Sequence, residues 1–563
     1  MIYHCEDHTC NYWDEGEKLP ERCPQCGRKL LRANEADMTG DDWTALGNTL
    51  WDAEASDKKR MVDCFRKAAY LGSAWGVCNL GICMEQGNGV EADPVQAFWL
   101  YQQAVEMGSL NAVCCLGVCY QYGIGTAPDA KQAAELYCKA AEYGSPRGQM
   151  LLARAFHDGI GVEADAAEAV HWVRAAAYQR YGEGMHRLGV CYEYGDGVEQ
   201  NWEHAVHWFR EAAESGVSAA MTGLGYCYEK GCGVEQSWEQ AFSWYRRGAE
   251  CGYPVSMSNL GLCYKRGYGV EQNWQEAIKW YEQGAQCGDL QSMHNLACCY
   301  ERGEGVEQNE ERALYWYRRG AEAGSDYCMY CLGWNYSNGE GVEQNMTEAI
   351  RWYTAAAEGG NADAMHNLGW LYDHGEGVEQ DMKKAICWYE RAAEQNHPAA
   401  MNSLGECYAM GRGVPRDLET AMEWYRRAAE LGEAMADYNM GWHLEQAGKL
   451  SEAYAHYRKA ADGNDDSAWW ALGRFYENGV VVAQDGKEAR RCYETGEKLG
   501  SVKCKMRLAR CKLLGIGGRR AKKAGLDLCR QALELAKESS EKEDYGYEAE
   551  MNLLRRTIAE NES

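Results

Sequence analysis

Positive charge is scarce in this chain of 563 residues: Lys and Arg number 58 against 85 Asp and Glu, a formal charge of −27. Phosphate backbones would be repelled rather than neutralised, which argues against general binding to DNA or RNA, and anionic membrane surfaces are disfavoured for the same reason. Long apolar runs are also missing. No uninterrupted stretch approaches the roughly 18 residues of a membrane-spanning helix, and the first residues show no basic start followed by an apolar segment. The expectation is a cytoplasmic protein with no membrane contact. Phenylalanine and proline are rare, with 6 and 8 copies beside 63 glycines, 21 tryptophans and 37 tyrosines. Such a skew arises when a few positions are copied many times. A hydrophobic content of 46% excludes a wholly disordered chain. The 27 cysteines are odd in number and spread through a large chain, which argues against a disulfide framework. Reduced thiols then serve as small buried hydrophobes or as metal ligands.

The copied unit is 36 residues long. A Leu-Gly dipeptide, or a close variant, begins at Leu80, Leu116, Leu152, Leu188, Leu224, Leu260, Leu296, Leu332, Leu368, Leu404 and Met440. Imperfect copies at Leu46, Leu472 and Leu508 bring the total to fourteen. Tyrosine follows this anchor by four residues, as at Tyr228 and Tyr264, and alanine precedes it by four, as at Ala220 and Ala364. That spacing sets all three on one helical face. A Gly-x-Gly-Val turn comes next, as at Gly195–Val198, and then a second periodic segment with tryptophan at Trp172, Trp208, Trp244, Trp280, Trp316, Trp352, Trp388 and Trp424. Asn273 with Glu276, Asn345 with Glu348 and Ser237 with Gln240 fit capping boxes that open the second helix. Each unit therefore reads helix, turn, helix. The glycine turns lack the Gly-Lys-Ser/Thr ending of a phosphate-binding loop.

The stretch "AAMTGLGYCYEKGCGVEQSWEQAFSWYRRGAECG", residues 219–252, carries nearly every element of the pattern and resembles the Sel-one-like repeat family, close relatives of tetratricopeptide repeats. The resemblance implies an all-α, α/α superhelical repeat solenoid of about fourteen helix pairs, acting as a non-catalytic scaffold for protein partners. Regular repeats span residues 74–432, after an atypical first repeat or cap over 34–73. Residues 433–535 hold a tetratricopeptide-like unit, "QAGKLSEAYAHYRKA", and degenerate copies; 536–563 read as a charged helix and tail. A cysteine-rich branch of the family clips paired helices with disulfides and is associated with β-lactams. Cys251 and Cys287 have no consistently spaced mates for such clips, so a hydrolase or ligand-binding protein of that kind is the second reading. Ser56-x-x-Lys59 and Ser539-x-x-Lys542 echo half of a β-lactamase signature without the motifs that complete it.

The first 33 residues read as a zinc ribbon, with Cys5-x4-Cys10 and then Cys23-Pro24-Gln25-Cys26-Gly27 supplying four thiolates. Four protein ligands leave no open coordination position, so the ion is a structural Zn2+. His8 is an alternative ligand, and rubredoxin-like iron and a redox disulfide are the competing chemistries. The ribbon either caps the first repeat or docks a partner.

Elsewhere the repeat positions point to packing. Cysteine three after the anchor, as at Cys83, Cys227 and Cys407, and methionine three before it, as at Met221 and Met401, are core positions. Two before and two after the anchor, residue type varies, becoming aromatic or histidine in later units: Tyr330 and Trp334, His366 and Trp370, Tyr438 and Trp442, with Trp470 beyond. Because stacking positions should be copied, this variation suggests a groove that anchors a protein or peptide partner, against the alternative that the rings pack between repeats. Finally, residues 487–530 hold 14 Lys or Arg against 4 Asp or Glu. This segment is either a solvated face, a surface for an acidic partner or the chain's own acids, or the basis of a third reading, an adaptor for nucleic-acid machinery.

Overall fold

The computed structural model describes residues 2–5, 13–15, 30–33, 38–51, 55–542 and 548–562. The chain divides into two compact units, Met1–Ser292 and Met293–Ser563. Twenty-nine helices and three short strands lie among the described residues, and fourteen consecutive helix pairs run from Gly40–Thr49 with Ala55–Tyr70 to Val502–Leu514 with Lys522–Lys542. The repeat array read from the sequence is thus present, pair for pair.

The sixth pair, Ser218–Lys230 and Trp238–Glu250, shows why these residues fold this way. The first helix stops at Gly231, whose φ of 73° is left-handed and whose N–H donates to the Cys227 carbonyl. The chain then turns back. Ser237 N–H donates to the Tyr228 carbonyl at 2.9 Å, and the Gln236 amide donates to the Glu229 carbonyl at 2.8 Å. Ser237 Oγ then accepts from Gln240 N–H and opens the second helix. Asn273 and Asn345 cap their helices likewise. At all three of these caps the return half of the box is not made, because the cap N–H already donates to the Tyr228, Tyr264 or Tyr336 carbonyl at the end of the first helix. Thr39 and Asp42 form the reciprocal box at the first helix.

The anchor leucine is buried, and in most pairs the glycine after it lets a ring lie flat against the helix; Ala153, Ala297 and Ala509 are the exceptions. A Cβ on Gly225 would come within 2.5 Å of the Tyr245 ring. That ring is fully buried, and its hydroxyl donates to Glu229 at 2.8 Å, so the core hydroxyl is satisfied. Tyr101 with Glu85, Tyr457 with Glu445 and Tyr493 with Glu477 repeat the arrangement at 2.6 to 2.7 Å. The repeated tryptophans stand one residue earlier and are half-buried, and four of the eight have an arginine three residues on lying over the indole, as for Trp244 with Arg247 at 4.3 Å and Trp424 with Arg427 at 4.5 Å. The core ring is therefore the tyrosine after the tryptophan. Cysteines three past the anchor and methionines three before it fill the core as read: Cys227 and Met401 are buried, and burial pushes the Cys227 thiol up to about 12.

The turn of each pair also reaches its predecessor. A Cβ on Gly413 would meet the Met382 side chain at 2.7 Å, at the start of the second helix of the pair before. Val414 packs beside it on the core.

At the chain's beginning, Ile2–Cys5 pairs antiparallel with Trp13–Glu15 and with Leu30–Ala33. At the other end, Lys522–Lys542 runs across the boundary read at 535/536, and a further helix, Glu548–Glu562, packs back with Met551 and Leu554 buried. Glu550 on that helix accepts two hydrogen bonds from the Arg507 guanidinium, at 2.6 and 2.7 Å. Arg507 and Arg510 both also bond Glu477. Part of the basic segment is therefore spent on the chain's own acids, while Arg519, Lys522 and Lys523 remain exposed.

Candidate partner-binding surfaces of the second unit

Six of the seven aromatic positions singled out from the sequence separate into two groups, and Trp470 stands apart. Trp334, Trp370 and Trp442 are 45%, 40% and 43% exposed, on the first helices Asp326–Asn338, Ala362–His374 and Ala434–Gln446. Tyr330, His366 and Tyr438 turn inward. Their rings lie 5.6 to 5.9 Å from the core rings Tyr353, Tyr389 and Tyr457 of their own pairs. Burial holds His366 down at about 4 and pushes the Tyr438 hydroxyl up to about 12. Four residues advance the helical screw by about 400°, so members of a pair differ by about 40°, enough to put one against the core and the other outside it. Trp470 is half-buried, and its indole N–H donates to Glu550 at 3.2 Å, so the terminal helix occupies it.

The exposed tryptophans stand beside a polar ladder. Between Trp370 and Trp442 the same register holds Glu406, whose carboxylate accepts from Asn402 at 3.2 Å and Asn439 at 3.3 Å and faces Arg412 at 3.6 Å. Burial raises its carboxyl, and Arg412 is drawn on further by the buried Asp373 at 2.9 Å. This surface offers rings for apolar anchors and one fixed acceptor among them.

A second opening lies where the repeat shortens. The twelfth pair, Ala434–Gln446 and Leu450–Asp462, is joined by three residues, 447–449, in place of the seven of its neighbours. A Cβ on Gly448 would meet nothing within 4 Å, in contrast to Gly413. The second helix of the eleventh pair, Leu418–Glu430, is consequently uncovered at its start, with Leu418 39% exposed. A groove of about 950 Å³ results, floored by Leu418, Met422, Met440 and Leu444 and edged by Lys449 and His456. His456 is held by Asp437 at 2.7 Å. The shortened turn was visible in the sequence, but its effect on the preceding pair follows only from knowing what a full turn covers.

Of the proposed zinc ligands, Cys5 ends the first strand, and Cys10, Cys23 and Cys26 lie outside the described residues. Among the described residues no cluster of three or more His, Cys, Asp or Glu could hold a metal ion, and no helix is long and apolar enough to cross a membrane.

Stacked helix pairs with a repeating Leu-Gly anchor and Gly-x-Gly turn define a helical repeat protein of the solenoid class. The Sel1 repeat model matches twelve segments from 76–109 to 468–501, contiguous but for residues 110–111 and 466–467. The chain belongs to the Sel1 repeat family. Among solved structures it is similar to c5321, a protective antigen of uropathogenic Escherichia coli strains with an SLR fold, at 30% identity over 85% of this chain and 97% of that one, TM-score 0.49. It is also similar to a Sel1 repeat protein from Oxalobacter formigenes, at 33% identity over 44% of this chain and 99% of that one, TM-score 0.41. No curated protein matches it.

Proposed function

We propose that the protein is a non-catalytic scaffold that holds a basic, extended or helical polypeptide on the exposed row of its second unit. Trp334, Trp370 and Trp442 supply the apolar anchors, and Glu406 receives a lysine or arginine between them. The observation that carries this reading is the exposure of three tryptophans at one register position, since large rings outside a core are the usual anchors of binding surfaces. The acidic balance of the chain adds long-range attraction for a basic partner.

The zinc reading forms part of the proposal. The three-strand sheet brings Cys5 to the end of its central strand, and the residues between strands, 6–12 and 16–29, contain the other three cysteines. A structural Zn2+ there would supply folding free energy to a segment too short for a core of its own. Cytoplasmic residence, where thiols stay reduced, suits a ligand set of thiolates.

A pull-down under reducing conditions tests the scaffold reading by comparing the intact chain with a Trp334→Ala, Trp370→Ala, Trp442→Ala variant and a Glu406→Gln variant, each folded by circular dichroism. A basic protein retained by the intact chain and lost by the triple variant supports it. Equal retention by all three moves binding away from this row and sinks the reading.

A further inference from the structure

The fourth pair, Pro146–Asp158 and Ala166–Tyr178, breaks the ring rule of the first unit. At the core-ring position the surrounding pairs place Tyr101, Tyr137, Phe209, Tyr245 and Tyr281, each fully buried. The fourth pair places Val173. Five residues past the anchor, where Glu85 and Glu229 accept from the core hydroxyl, it has His157. Both partners of the tyrosine–acid bond are therefore exchanged within one repeat.

The space is not taken up by neighbours. A cavity of about 380 Å³ lies there, floored by Met150, Ala153, Val170 and Val173 and rimmed by charged side chains. His157 bridges two carboxylates at the rim, with Nδ1 at 2.6 Å from Asp158 and Nε2 at 3.2 Å from Asp196. Arg154 stands 3.4 Å from Asp158 and Arg187 stands 3.8 Å from Asp196. Each carboxylate keeps further lone pairs for a donor. An apolar floor with acceptors at its open end offers a ring the two kinds of contact a core tyrosine has in the sister pairs, with Ala153 in place of the glycine beneath that ring.

We infer that this cavity is a binding site for a single phenol-type ring, its face on Val170 and Val173 and its hydroxyl donating to Asp158 or Asp196. The volume falls within the roughly 300–1,000 Å³ of small-molecule sites. An apolar floor of this kind favours an aromatic guest because the ring regains contacts that the floor residues otherwise lack. The sister pairs define the guest: four of the five surrounding pairs insert a tyrosine ring at this position.

Calorimetric titration of the full chain with p-cresol, the tyrosine side chain as a free molecule, tests the inference. Saturable binding is expected, with methyl resonances of Met150 and Val173 shifting in step. Toluene, which lacks the hydroxyl, should bind about tenfold more weakly. Val173→Tyr and Val173→Phe install the rings of the sister pairs and should each remove binding while leaving the helical spectrum unchanged. N-acetyltyrosinamide binding as well as p-cresol places the natural ring on a polypeptide; p-cresol binding alone places it on a free small molecule. Absence of saturable binding and of methyl shifts in the unsubstituted chain overturns the inference, as does unchanged affinity in a folded Val173→Tyr or Val173→Phe variant.

Discussion

The fourth and twelfth pairs both depart from the repeat, and they lose different things. The fourth lacks a ring and keeps its turn; the twelfth keeps its ring, Tyr457, and lacks most of its turn. The first loss goes with a cavity of about 380 Å³ between the fourth pair and the first helix and turn of the fifth. The second opens a groove of about 950 Å³ over the helix of the pair before it. A core ring fills the space between its own pair and the next, whereas a turn covers its predecessor. Irregularities in a repeat array are thus read toward the following pair for core rings and one pair earlier for turns.

The comparison is broken most severely by creating a ring loss elsewhere. Tyr245→Ala in the sixth pair should destabilise its unit by about 3–5 kcal/mol, measured by urea denaturation, because the ring is fully buried. A cost near zero would mean that the fourth pair tolerates its valine for no local reason.

A pair that has lost neither feature supplies the reference. In the tenth, His366 lies against Tyr389, stacks on His397 at 5.1 Å, and has Asp363 close by, bonded to His397 at 3.2 Å. Its folded value of about 4 lies below its ordinary 6.5, so protons bind the unfolded chain first as pH falls. Its contribution is complete above about pH 6.5 and declines toward pH 4, by up to about 1.4 kcal/mol per pH unit. His366→Asn should flatten the slope of stability against pH in that window relative to the unsubstituted chain; an unchanged slope removes the buried neutral imidazole from the account.

Restoring the lost turn sharpens the other half. Replacing residues 447–449 with the seven residues 411–417 should raise stability by about 1 kcal/mol through burial of Leu418 and Met422, offset slightly by the longer loop. Slower amide exchange over 418–423 would report the new cover. The smallest effect is expected at the uncovered leucine itself: Leu418→Ala should stay within about 0.5 kcal/mol, against about 2–5 for the buried anchor Leu404→Ala.

Much of this was legible in sequence because each position is written many times. The anchor register, the turn, the caps and the buried cysteines and methionines all follow from period and residue type. Periodicity was less informative where a function departs from it. The repeated tryptophan is the larger ring, yet the core ring is the tyrosine after it, which lies on the glycine after the anchor in most pairs. The two members of each aromatic pair stand four residues apart, but a difference of about 40° on a helix decides between core and solvent, and residue type alone does not carry it. Val173 is an ordinary core residue by itself, and becomes informative only once the ring it replaces is known. The terminal helix that occupies Trp470 could not be placed from its charges, because Glu550 reads as a solvated acid until Arg507 is seen against it.

The hydrogen bond from Tyr245 to Glu229 has its donor and its acceptor within one 36-residue unit, as do Tyr101 with Glu85 and Tyr493 with Glu477. A duplicated unit therefore arrives with its buried hydroxyl already satisfied, whatever stands on either side. Arrays of this kind can lengthen by duplication without first repairing a core, and single copies are then free to drift into cavities and grooves while their neighbours keep the fold.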